Sequence, residues 1–248
     1  MTKVFVHGNP ETSAIWSDLV TELHRRGTDD IVLLSPPGFG SAVPPGWGAT
    51  QAEYVEWLAR ELAAFEEIDL VGHDWGAGHV FGVLATGTVR PRTWAADCAG
   101  LLHAGYVWHD AAQGWQTPDL GEQMVAGMAA MDADTMVAAF GALGITEAIV
   151  REMEPWVNDD MARCVLALYR SAAQPAMRQL GERFVATAPA NGLVIIAEND
   201  HYAGPHSMHE ETAAAVGARV ARLGGVGHWW MIENPVAAAD MLTAHWAG

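Results

Sequence analysis

Three short stretches hold side chains able to act as nucleophile, orienting acid and base. The sharpest is Leu70-Val71-Gly72-His73-Asp74-Trp75-Gly76-Ala77-Gly78, an apolar run entering a small-x-x-x-small turn that leads into a helical pattern. Such a turn bends the backbone so tightly that only small residues fit beside its central residue, whose side chain is pushed above the sheet. Here that residue is Asp74. A second apolar run ends in Glu198-Asn199-Asp200 and a third in Gly225-Val226-Gly227-His228-Trp229-Trp230, so the chain order is acid, acid, histidine. A carboxylate with an ordinary pKa near ~4 is ionised at neutral pH and can displace a leaving group from an sp³ carbon, giving an alkyl ester of Asp74. His228, oriented by Asp200, would then draw a proton from the water that attacks this ester. The first apolar run ends in His7-Gly8-Asn9-Pro10, a loop whose backbone can lean over the turn. The N–H groups of Asn9 and Trp75 are the natural pair to hold the developing oxyanion. Each reading has a plainer rival: Asp74 as a helix cap, His228 as a core histidine and the His-Gly-Asn-Pro stretch as a tight turn. Chain order, and position at the ends of several apolar runs, favour chemistry.

The elements that must position these residues alternate. Val4–Val6, Ile31–Leu34, Ile68–Val71, Trp94–Ala99, Leu193–Ala197 and Arg219–Leu223 are short, apolar or β-branched runs punctuated by Gly, Pro or Asp, the pattern of buried parallel strands. Between them lie amphipathic stretches, clearest in residues 51–65, where Val55, Leu58, Leu62 and Phe65 share one face. Strand–helix alternation predicts an α/β sheet with helices on both faces and a ligand crevice beyond the carboxyl ends of the strands. The alternation breaks after Gly100. Residues 102–186 are rich in Ala, Met and Trp and predict helices over 121–131, 133–143, 145–157 and 161–184, the last broken near Pro175. The expected organisation is a core of residues 1–101 and 187–248 carrying a helical lid of residues 102–186.

Composition narrows the partners. Thirteen Lys and Arg against thirty Asp and Glu give a formal charge of −17, a field that repels phosphate backbones and anionic bilayers. Nucleic acid and membrane are therefore not expected partners, and no apolar run approaches a membrane span. Cys98 and Cys164 lack the paired spacing of a zinc or redox site and are expected as buried thiols. No secretory signal is read at the start of the chain, so a cytoplasmic address is expected. Neither a metal nor an organic cofactor is required by the chemistry above.

The motifs His7-Gly8-Asn9-Pro10, Gly72-His73-Asp74-Trp75-Gly76 and Gly227-His228-Trp229-Trp230, with Asp200 as supporting acid, resemble those of the α/β-hydrolase superfamily, specifically its Asp-nucleophile branch of epoxide hydrolases and haloalkane dehalogenases. The resemblance implies an α/β-hydrolase fold. Relatives usually carry two further strands before the His-Gly-x-Pro loop, so a shortened, mainly parallel sheet of about six strands is expected, with the second strand at an edge. An epoxide oxygen needs a proton donor on leaving, and the resemblance points to lid tyrosines, with Tyr169 and Tyr106 as candidates. A halide needs N–H donors, for which the Trp75 indole and the Asn9 amide are candidates. Asp200 after the fifth strand fits epoxide hydrolases and some dehalogenases, since residues 99–102 offer no carboxylate after the fourth. Epoxide hydrolysis is the favoured reading and haloalkane dehalogenation the alternative. A serine esterase is disfavoured because Ser13, Ser17 and Ser171 occupy helix-like contexts; a catalytically silent ligand-binding protein would not need Asp74, His228 and Asp200 together. The expected pocket is apolar, lined by aromatics such as Trp75, Trp108, Trp115 and Trp229, and takes a small neutral substrate. A monomer or homodimer is expected.

Overall fold

The computed structural model describes residues 1–248. Six strands, β1 (Thr2–Val6), β2 (Ile31–Leu34), β3 (Ile68–Gly72), β4 (Thr93–Ala96), β5 (Gly192–Ala197) and β6 (Arg219–Leu223), form one sheet in the order β2-β1-β3-β4-β5-β6. Every pairing is parallel, and β2 lies at an edge with Leu33 exposed. The chain leaves β1 toward β2 on one side and returns to β3 on the other. The carboxyl ends of β1 and β3 therefore flank the point where the winding reverses, where open α/β sheets form their crevice.

Twelve helices accompany the sheet: α1 (Ser17–Arg25), α2 (Gln51–Leu62), α3 (Trp75–Ala85), α4 (Asp110–Gln116), α5 (Leu120–Ala129), α6 (Ala133–Gly141), α7 (Glu147–Met153), α8 (Asp159–Ser171), α9 (Ala176–Thr187), α10 (His206–Val216), α11 (Trp230–Glu233) and α12 (Pro235–Ala247). Strand alternation assigns them to faces. Phe5 is in register with Val71, and Val71 with Ala95, so Trp94 points to the opposite face from Phe5. Phe5 meets Trp16 and, in α12, Trp246; Trp94 meets Phe81 of α3 and Phe184 of α9. Both faces are thus covered. The amphipathic stretch at 51–65 becomes α2, started by a capping box in which Thr50 and Glu53 satisfy each other's backbone N–H.

Two sequence expectations need correction. The fourth strand stops at Ala96, because Cys98 takes a left-handed conformation (φ 52°) and a 3₁₀ turn follows at Ala99–Leu102. The helix expected over 145–157 is α7 alone, followed by a separate turn at Glu154–Trp156 where Pro155 removes a backbone donor. Between β4 and β5 the chain contains no strand, just these two turns and α4 to α9, and the helix expected at 161–184 divides at Pro175 into α8 and α9. Met128, Phe140, Val150 and Leu168 from these helices join the same buried cluster as Val4 and Val71, so they pack onto the core rather than standing away from it.

Candidate active site

The turn after β3 is built by close approach. A Cβ on Gly76 would run into the Val6 carbonyl, and one on Gly8 into the Asp74 carboxylate, so both positions exclude any larger residue. Asp74 itself sits at φ 51°, ψ −122°, a strained conformation for a residue with a side chain, worth about 1–3 kcal/mol. What holds it is Asp97, the first residue after β4, whose Oδ1 accepts the Asp74 N–H at 2.9 Å.

The two Asp74 oxygens have different neighbours. Oδ2 accepts the backbone N–H of Asn9 (3.2 Å) and of Trp75, while Oδ1 lies 3.5 Å from His228 Nε2. Asp74 does take the first N–H of α3, as a cap would, but that uses only one oxygen. His228 Nδ1 pairs with Asp200 Oδ2 at 2.7 Å, and the Asp200 Oδ1 accepts the Tyr202 N–H. The structure thus brings Asp74, His228, Asp200 and the N–H groups of Asn9 and Trp75 together at the ends of three strands and in the turn before α11. Burial pushes the Asp74 carboxyl up, but the hydrogen bond and charge of His228 outweigh it and hold the group below its ordinary value. Burial opposes charge on His228 as well, yet Asp200 and then Asp74 raise it well above an ordinary imidazole. Asp200, desolvated but facing His228, is lowered.

These groups open into a cavity of about 370 Å³, walled by Met124, Met128 and Met131 near α5, Phe140 of α6, and Trp115 and Trp229, with no Lys or Arg among its lining residues. Trp75 and Trp108 line a smaller void beside Asp74 instead. The tyrosines part company. The Tyr106 hydroxyl donates to the Tyr202 carbonyl at 2.8 Å, and the residue lines the smaller void beside Asp74 rather than the main cavity. Tyr169 is buried, lines the cavity with its ring edge-on to Trp75, and has its phenol raised by burial and by the Asp74 charge. Asn9 also lines the cavity, and neither polar atom of its buried side-chain amide has a partner.

Four polar residues of the site escape the sequence reading. His109, just before α4, accepts the Ala112 N–H on Nδ1 as a helix cap. With Nδ1 accepting, the ring proton sits on Nε2, a donor on a residue that lines the cavity, and burial pushes the ring's pKa down. Its signal, a His before a helical stretch, is common. Asp97 is missed because the apolar run is read through to Ala99, beyond the true strand end. His73 and Glu11 sit beside motif residues but face away from the cavity. His73 Nδ1 pairs with Asp97 Oδ2, and Glu11 accepts from the Gly8 N–H and the Trp229 indole. Cys98 and Cys164 are both free and buried, and burial with nearby Asp97 and Asp200 keeps the Cys98 thiol protonated.

Residues 4–241 match the model of the alpha/beta hydrolase family. The chain belongs to that family. No curated protein matches this alpha/beta hydrolase. Among solved structures, it is similar to a loop variant of haloalkane dehalogenase DbeA from Bradyrhizobium elkanii, with TM-score 0.75 and 18% identity over 99% of this chain and 90% of that one. It is also similar to a mutant of haloalkane dehalogenase DatA from Agrobacterium tumefaciens C58 (TM-score 0.78, 17% identity, 100% and 90% covered). A third likeness is to Cfl2 from Burkholderia cenocepacia (TM-score 0.76, 21% identity, 98% and 87% covered). At these identities the likeness concerns the fold. No helix is long and apolar enough to cross a membrane.

Proposed function

We propose that this alpha/beta hydrolase opens small, neutral, apolar epoxides through a covalent ester of Asp74. The observation that carries this reading is that two uncommitted proton donors, the Tyr169 hydroxyl and the His109 Nε2–H, belong to residues lining the cavity into which Asp74 opens. Asp74 Oδ1 attacks an epoxide carbon, the C–O bond breaks, and its electron pair takes the donor's proton. The ester carbonyl is then Oδ2, already seated on the N–H groups of Asn9 and Trp75. Neutral His228 takes a proton from water; hydroxide adds to the ester carbon, and the oxyanion forms where those two donors lie. Collapse breaks the Cγ–O bond to the substrate, His228 returns the proton to the departing oxygen, the proton left on the Asp74 carboxyl passes to the deprotonated donor, and the diol leaves. In this reading residues 102–186 act as a lid over a core of residues 1–101 and 187–248.

One observation favours a second reading, haloalkane dehalogenation. The buried Asn9 amide with no partner, beside Trp75, is suited to hold a departing halide. The solved dehalogenases of similar fold are consistent with either chemistry. The deciding experiment assays terminal epoxides and bromoalkanes separately for diol and for halide. Diol formation lost in Tyr169→Phe or His109→Gln and kept in Asn9→Ala supports the epoxide reading; halide release lost in Asn9→Ala, with no diol formed by the wild type, overturns it. Since no Lys or Arg lines the cavity and the Asp74 carboxylate does, a carboxylate-bearing analogue is expected to have a kcat/KM at least about a hundredfold below that of its neutral counterpart.

A further inference from the structure

Behind the nucleophile lies a second histidine–carboxylate group that the reaction above does not use. His73 is completely buried, with Nδ1 2.5 Å from Asp97 Oδ2 and Nε2 3.7 Å from Glu11 Oε1, so both ring nitrogens face carboxylate oxygens. Each carboxylate is aimed by fixed donors. Asp97 accepts the Trp230 indole N–H and the Asp74 N–H; Glu11 accepts the Trp229 indole N–H and the Gly8 N–H. The Nδ1 contact is a hydrogen bond, whereas Nε2 has no hydrogen-bond partner and lies near Glu11, whose carboxyl is pushed up by burial; a doubly protonated ring points a hydrogen toward both acids. The His73 and His228 ring centroids are 4.6 Å apart.

This proximity matters once Asp74 is esterified. In the resting site His228 lies between two carboxylates, Asp200 and Asp74, an arrangement that favours a proton on it. A base must be unprotonated. Esterification removes the Asp74 charge but leaves Asp200, and the His73 ring stands directly beside His228, where a charge on it would oppose a proton on His228. We propose that His73 is a positioning residue of the hydrolytic step: a permanently charged, buried imidazolium that repels the proton from His228 once Asp74 carries the substrate. It acts through His228 and touches no substrate. The groups around the pair are consistent with this assignment. Asp97, Glu11, Asp74 and His228 face His73, with neutral His7 nearby; Asp74, Asp200, His73, Glu11 and His109 act on His228, against which Tyr202 and Trp229 stack. The direction of the His73 pKa agrees: burial lowers it, Asp97 and Glu11 raise it further, and the result lies above an ordinary imidazole.

The proposal rests on the ester mechanism, but its test does not require turnover. Asp74→Asn supplies a neutral, nearly isosteric stand-in for the ester. In the full chain labelled with ¹⁵N-histidine, ring-nitrogen resonances are followed between about pH 5 and about pH 10. His73 is expected to stay doubly protonated across neutrality, and adding His73→Gln to Asp74→Asn is expected to raise the His228 midpoint by about one pH unit. A His73 that loses its proton near its ordinary value overturns the proposal in the otherwise wild-type protein, where no substitution at 73 can be blamed. So does a His228 midpoint that stays put or falls in the double variant. Failure to hydrolyse any epoxide or haloalkane would leave these titrations unchanged, and would count against the proposed function instead.

Discussion

At the residue scale, the division of labour between the two oxygens of Asp74 accounts for most of the chemistry. Oδ2 occupies the place where negative charge would develop in the proposed reaction, and Oδ1 is left to the cavity and to His228. Asp97 fixes this arrangement through one hydrogen bond to a strained backbone, so Asp97→Ala is expected to lower kcat about a hundredfold while leaving the fold intact, as a circular dichroism spectrum beside a rate assay would verify. Asp200→Ala is expected to slow ester hydrolysis more than ester formation, so that rapid-quench mass spectrometry finds modified enzyme accumulating. The juxtaposition of Asp74, His228 and Asp200 is legible in the sequence because each follows an apolar run or a glycine turn at a strand end. Asp97, Glu11 and His73 are not, because their roles come from partners distant in sequence: Trp230 for Asp97 and Trp229 for Glu11. The Tyr106 hydrogen bond is hidden for the same reason, its acceptor being a carbonyl ninety-six positions away.

At the element scale, the site depends on backbones approaching more closely than side chains allow. Gly76→Ala would press a methyl group against the Val6 carbonyl and force β1 and α3 apart, so a loss of about 1–3 kcal/mol is expected in denaturant titration, with activity falling alongside. Strands are legible because buried parallel strands are short and almost wholly apolar, as β3 and β5 are. Their ends are less so. An apolar run continues past Ala96 in the sequence, but Cys98 turns the chain with a left-handed conformation that its residue type does not announce. The helices between β4 and β5 are readable as helices from composition and breakers. How they wall the cavity is not, since Met124, Met128 and Phe140 are spaced as ordinary core positions and only packing decides which of them face the nucleophile.

For the whole molecule, buried histidines set a stability optimum. His7 and His79 are held neutral by burial, lowered to about 4 and about 3, so the unfolded chain binds more protons than the native state as pH falls below the ordinary imidazole value, and stability declines on the acid side. His228 and His73 are raised, so the native state holds the extra protons above that value and their contribution fades as pH rises through their folded pKa values. Stability measured by urea midpoint is therefore expected to peak near about pH 6.5 and fall on both sides, steepening below about pH 4 as Asp200 and Asp74 lose their charge. A midpoint that climbs steadily to alkaline pH would contradict the charged pairing of the two histidines. The account as a whole turns on the covalent step at Asp74. Mixing His228→Ala with a terminal epoxide or a bromoalkane and mapping the protein by peptide mass spectrometry tests it most directly: an adduct is expected on the peptide carrying Asp74, with the mass of the whole epoxide or of the alkyl group less bromide. Turnover by the wild type with an unmodified Asp74 peptide in the variant would contradict it.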